Sequence, residues 1–122
     1  MILSQWGPAL AMMALIFFAS GTPGSDIPTF GVWDLLVKKG GHILGYALLA
    51  AAYLRGLAFT ARASRGTVIL VIIMATFYAA TDEFHQSFTP GRSPSLSDVG
   101  IDTIGATVGA TVSAWARTFQ KR

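Results

Sequence analysis

Apolar residues run along the chain in four stretches, Ile2–Ala19, Gly41–Phe59, Val68–Phe84 and Ser97–Ala116, parted by segments rich in turn formers. Gly21-Thr-Pro-Gly24, Ile27-Pro28 and Pro90-Gly-Arg-Ser-Pro94 mark the loops. Pro8 falls in the first turns of its stretch, where a missing N–H is tolerated. The pattern predicts four helices. A helix needs about 20 residues to cross a hydrocarbon core, so each stretch is short for a span. The third is uninterrupted only from Val68 to Ala80, before Thr81, Asp82 and Glu83. To span, it carries those acids into the membrane boundary, and the fourth carries Asp98 or Asp102 in its first turns. Tilt or local thinning absorbs part of the mismatch.

Composition sharpens this reading. Of 122 residues, 52% are hydrophobic and only 12% charged, half the usual share for a soluble domain. Mean hydropathy is +0.55. These values exclude a disordered tail and an ordinary cytosolic enzyme, and predict one integral membrane unit over residues 1–122. The net charge of +3 comes from dispersed Lys and Arg with no basic run interleaved with aromatics, so nucleic acid is not an expected partner. The absence of cysteine removes disulfides, thiol nucleophiles and zinc–thiolate sites.

Charge also orients the bundle. Arg55, Arg62 and Arg65 surround the second loop, and Arg117, Lys121 and Arg122 close the chain. The positive-inside bias puts both in the cytoplasm, giving an N-in/C-in topology with the first and third loops outside. Lys38 and Lys39 oppose the bias, which implies a use for them that outweighs topology. Ile2–Ala19 followed by Ser-Gly-Thr-Pro-Gly has some features of a signal peptide, but its start carries no Lys or Arg; it is expected to be a retained span. Trp6, Trp33 and Trp115 fall where belt anchors are expected, and Arg55 is expected to snorkel to the inner face.

The polar residues inside the stretches fall into stripes. Lys39, His42 and Tyr46 share a face at the outer start of the second helix. Tyr78, Asp82 and His85 do so at the outer end of the third, with Glu83 and Gln86 on the adjoining edge. Asp98, Asp102 and Gly105 make a third stripe at the outer start of the fourth, and Ser97 is placed to cap that helix. Arg92 lies in the intervening loop between prolines. Alternating spans bring all these ends to one membrane face, and ionisable groups within spans usually face the bundle interior and mark function. The pairs Gly41/Gly45 and Gly105/Gly109 offer close helix packing, which would bring the Lys39/His42 face towards Asp98/Asp102.

The run Lys39-Gly-Gly-His42 with Tyr46, then Asp82-Glu83-Phe84-His85-Gln86, Pro90-Gly91-Arg92, Ser97-Asp98 and Gly105, resembles the VanZ-like family. These are small bacterial membrane proteins named for an accessory protein of glycopeptide (teicoplanin) resistance. The likeness covers about residues 34–112 and departs from the family pattern at Asp102, where Asn is the common residue. It implies a multi-pass protein of the bacterial cytoplasmic membrane, in the cell envelope.

Three chemistries fit the cluster. Four acids (Asp82, Glu83, Asp98, Asp102) face two fixed cations, Lys39 and Arg92, formally −2 with neutral histidines. Partly buried like charges cannot all stay ionised uncompensated. One resolution is a structural network clamping three helices. Another is an active site on a lipid-linked substrate, a polyprenyl phosphate or a phospholipid. Lys39 and Arg92, with Gln86 and Tyr46, would bind phosphate, and His85 or His42 would act with Asp82, Glu83 and Asp98. A divalent metal on Asp82, Glu83 and His85 would remove the imbalance. The third is a binding or permeation site without bond chemistry, for a lipid headgroup, a glycopeptide drug or a partner protein. The expectation is an all-α four-helix transmembrane bundle with an outer polar pocket that binds or acts on an anionic lipid-linked ligand. Oligomeric state is not legible.

Overall fold

The computed structural model describes residues 2–20, 34–59, 62–88 and 96–120, the side chains of residues 20, 34–38 and 120 excepted. The described residues form four helices and no strand: α1 (Ile2–Ser20), α2 (Asp34–Leu57), α3 (Arg65–Gln86) and α4 (Leu96–Gln120). Trp33, Arg92, Lys121 and Arg122 lie outside the described residues. α3 and α4 run past their apolar stretches at both ends, whereas α2 starts earlier than its stretch and stops at Leu57, short of Phe59. α3 has 22 residues and α4 has 25, or roughly 33 and 37 Å at 1.5 Å per residue. Helical hydrogen bonding continues through Asp82–Glu83 and through Asp98–Asp102, so the acids shorten the apolar run without shortening the helix.

Local signals explain several boundaries. The Ser64 side chain accepts the Thr67 backbone N–H at 3.1 Å and caps the start of α3. Ser97 sits in the first turn of α4, which begins at Leu96, rather than before it as the cap reading supposed. Pro8 lies inside α1. It has no N–H to give the carbonyl four residues back, which is Ser4. Arg55 fills that vacancy, its Nε and Nη2 both donating to Ser4 O at 3.1 Å. The last turn of α2 is satisfied in the same way by its neighbours. Gln5 Nε2 donates to Gly56 O at 2.7 Å, and the Arg117 guanidinium donates to Ala58 O. Trp6 packs its ring flat over Gly56, a place any Cβ would occupy, and so belongs to the packed interior as well as to a boundary.

Helices α2 and α4 share the most extensive interface, followed by α3 with α4 and α1 with α2, while α1 and α4 do not meet among the described residues. α2 and α4 run in the same sense, their starts joined by Lys39 and Asp98 and their ends by Ala58 and Arg117. Gly105 and Gly109 of α4 lie directly on the backbone of α2 at Ile43 and Ala47; a Cβ on Gly105 would stand 2.5 Å from Ile43 O. Gly41 and Gly45 take no part. Nothing lies within 4 Å of a Cβ added at either. The expectation of two matched glycine pairs is thus half met: one pair approaches a helix face that carries no glycine. The register that pairs Lys39 with Asp98 and His42 with Asp102 turns Ile43 and Ala47 towards α4 and rotates Gly41 and Gly45 away.

The interior is made of small residues. Ala9, Ala50, Ala75, Ala79, Ala106 and Ala110 are buried around Leu49, Leu54, Val71, Tyr46 and Tyr53. Outside stand large apolar side chains, among them Ile104, Val108, Val112, Trp115 and Phe119 down one face of α4, and Ile69, Ile73, Phe77 and Phe84 down α3. Helices α1 and α3 are long and apolar enough to cross a membrane. α2 and α4 turn Tyr46 and Asp102 inward, so their average hydropathy understates how apolar their outer faces are.

The packing at Gly109 yields a paired prediction. Gly109→Ala should destabilise the purified protein by about 1–3 kcal/mol, because its Cβ meets backbone that cannot swing aside. Gly45→Ala should change stability by less than about 0.5 kcal/mol. Thermal unfolding followed by circular dichroism checks both, and equal costs would show that the close approach is not limiting.

Candidate functional site

The start of α2, the end of α3 and the start of α4 converge at one end of the bundle. Lys39 Nζ donates to Asp98 Oδ1 at 2.5 Å, with the two side chains 36% and 22% exposed. One turn deeper, His42 Nδ1 lies 2.9 Å from Asp102 Oδ1. Asp102 is wholly buried, while the His42 side chain keeps 32% of its surface exposed. A carboxylate only accepts, so His42 donates from Nδ1, and Nε2 is the nitrogen left for a ligand. Both pairs join α2 to α4 in the register that Gly105 and Gly109 permit.

A further turn inward, Tyr46 is buried, and its hydroxyl has no hydrogen-bond partner among the described residues. It lies within electrostatic reach of Asp82, Asp102 and Glu83. Asp82, Glu83 and Gln86 are all buried on the facing side of α3, with Gln86 Nε2 a long 3.5 Å from Asp82 Oδ2. Asp102 Oδ2 likewise has no partner among the described residues. The polar end therefore holds three buried carboxylates and a half-exposed imidazole, with Lys39–Asp98 nearer the surface. Buried carboxylates call for partners, and Asp102 finds one of its own in His42.

The stripe on α3 splits. Tyr78 and His85 turn to α1: the Tyr78 hydroxyl donates to Met13 O at 2.5 Å, and the His85 ring stacks on Phe17 with centroids 4.2 Å apart and planes 12° apart. Asp82 and Glu83 instead face inward. Among the described residues no group of three His, Asp or Glu side chains is placed to hold a metal ion. Among the same residues His42 is the histidine in an ion pair, and its partner is Asp102. Arg92 lies outside the described residues.

Asp102 stood behind the other acids as a candidate on sequence, yet the geometry makes it the buried anchor of the cluster. A signal for it existed. A carboxylate one turn after Asp98, in a run from Val99 to Val112 otherwise built from Ile, Thr, Gly, Ala and Val, has no solvent-facing excuse if that face packs on His42.

Compared with known proteins, the chain is matched by the family model described as VanZ/LLP1 over residues 6–117. No curated protein and no solved structure matches it.

The two ion pairs should differ in strength. A double-mutant cycle on His42→Ala and Asp102→Ala should give a coupling of about 1–3 kcal/mol, because each single change strands a buried polar group. The same cycle on Lys39→Ala and Asp98→Ala should give about 0.2–1 kcal/mol, as solvent screens that pair. Thermal unfolding of the four single and two double variants measures both. Equal couplings would contradict the burial ordering.

Proposed function

The chain belongs to the VanZ/LLP1 family, and from that premise we propose a membrane-embedded bundle whose polar end binds an anionic, phosphate-bearing lipid and moves a proton on it. The membrane setting is supported by the inverted packing. Alanines and carboxylates lie inside, while Leu, Ile, Val and Phe side chains stand exposed on every helix. In water such a surface would be an aggregation liability; in lipid it is the expected exterior. Charge supplies the orientation. Arg55, Arg62, Arg65 and Arg117 belong to the helix ends remote from Asp98 and Asp102, so the positive-inside bias puts those ends in the cytoplasm and the polar cluster at the outer face of a bacterial cytoplasmic membrane.

One observation carries the chemistry: the His42–Asp102 pair. A buried carboxylate fixes the ring through Nδ1 and leaves the other nitrogen of a partly exposed imidazole for a ligand, which is the arrangement of a positioned general acid or base. Lys39, and Arg92 from the stretch of sequence between α3 and α4, supply cations suited to phosphate. A polyprenyl phosphate or a phospholipid has the charge and the tail that this location calls for. A second reading has its own support. Both ion pairs bridge α2 and α4, so the cluster also serves as an interhelical clamp.

The readings separate on variants. Protein should leave membranes only with detergent, and a reporter fused after residue 120 should be active on the cytoplasmic side. His42→Gln should lower retention or turnover of a polyprenyl phosphate by about 10²-fold or more, with thermal stability changed by under about 1 kcal/mol. A His42→Gln protein that loses stability and keeps its ligand would leave only the clamp. The glycopeptide link of the family's namesake gives a cellular readout, growth in teicoplanin with and without the chain.

A further inference from the structure

The opposite end of the bundle has an asymmetry of its own. All six acids lie at positions 26, 34, 82, 83, 98 and 102, so residues 35–81 and 103–122 contain none. The close of α2, the start of α3 and the close of α4 therefore form an end without a single carboxylate side chain, and with Arg55, Arg62, Arg65 and Arg117. Two of these are occupied, Arg55 with Ser4 O and Arg117 with Ala58 O. Arg62 and Arg65 are exposed and make no salt bridge among the described residues.

Beside Arg65 an open groove of about 500 Å³ runs between the first turns of α3 and the last turns of α4. Its walls are mostly apolar, with Val68, Ile69, Ala114 and Trp115; Arg65 is its one charged residue, beside the hydroxyls of Ser64, Thr111 and Thr118. The volume falls within the range of small-molecule sites, about 300–1,000 Å³. Those walls offer a small, fully hydrated anion nothing, and the arginine offers an uncharged hydrocarbon nothing. The combination suits an amphiphile with a negative head.

We propose that this groove is a binding site for an anionic glycerophospholipid of the inner leaflet, its phosphate at Arg65 and an acyl chain between Ile69 and Trp115. Charge complementarity selects the occupant. A headgroup with net negative charge meets an acid-free, arginine-bearing rim, whereas a zwitterionic headgroup brings its own cation to it. Trp115, 64% exposed with its ring edge-on to Phe119 at 4.9 Å, has the amphipathic surface of an interfacial anchor. The proposal rests on the membrane reading above but not on the ligand of the polar end.

Tryptophan quenching tests it. The full chain in mild detergent is titrated with brominated-chain phosphatidylglycerol or phosphatidylcholine, and the Trp115 contribution is taken as the difference from Trp115→Phe. That contribution should quench saturably, at about fivefold lower phosphatidylglycerol than phosphatidylcholine, the preference expected from one arginine near a headgroup. Arg65→Gln should bring the two lipids within about twofold at unchanged thermal stability, since Arg65 is exposed at the first residue of α3. Ala114→Phe, which fills the groove, should remove saturation. Inorganic phosphate at about 10 mM should not displace the lipid, because it cannot use the apolar walls. Equal quenching by both lipids, a preference that survives Arg65→Gln, or displacement by phosphate would each overturn the proposal. A chain that needs detergent for extraction yet shows no lipid preference fails this site alone; one that is soluble without detergent fails the membrane reading first.

Discussion

Gly105 and Gly109 bring α4 onto the backbone of α2, and that approach sets the geometry of everything else. With no Cβ in the way, the two helices lie in register from Lys39–Asp98 at one end to Ala58–Arg117 at the other. The same register carries His42 to Asp102 and turns Tyr46 towards the acids of α3. In the membrane setting proposed above there is no hydrophobic drive between helices, and short-range packing supplies association. A bundle with large side chains at this seam would hold its helices farther apart, and neither ion pair would close.

The distribution of side-chain size follows from that constraint. Alanine fills the interior because close helices leave little room, and the bulky residues are displaced outward. The remaining interior space at the polar end is taken by Asp82, Glu83, Gln86 and Asp102. Burial of such groups is costly unless they are paired, and for Asp102 the partner is His42, with the Lys39–Asp98 pair one turn nearer the surface. Polar residues thus sit where helix spacing is fixed most tightly, which is where a site needs its geometry held.

Much of this was legible from residue order. Four apolar stretches become four helices, because an apolar run of that length has few other ways to satisfy its backbone. The stripes at Lys39/His42 and Asp98/Asp102 meet, because helical spacing is enough to say which residues share a face. What residue order does not carry is rotation about each helix axis. Gly41 and Gly45 look as suitable for packing as Gly105 and Gly109, and only the register separates them. His85 reads as a partner of Asp82, yet a small turn of α3 sends it to Phe17. The averages along α2 and α4 are blind for the same cause: a mean along the helix cannot tell an inward Tyr46 or Asp102 from an outward one.

Pro8 and Arg55 show how far the helices depend on one another. Removing one N–H from α1 leaves the Ser4 carbonyl in need, and the donor that answers is 51 residues away on the next helix. α1, the most apolar segment of the chain by eye, therefore draws on α2 for donors at its start. The two helices are tied as a hairpin at that end. That makes the first two helices a single unit of biogenesis, and it ties the proline to the arginine as positions free to change in company but not singly.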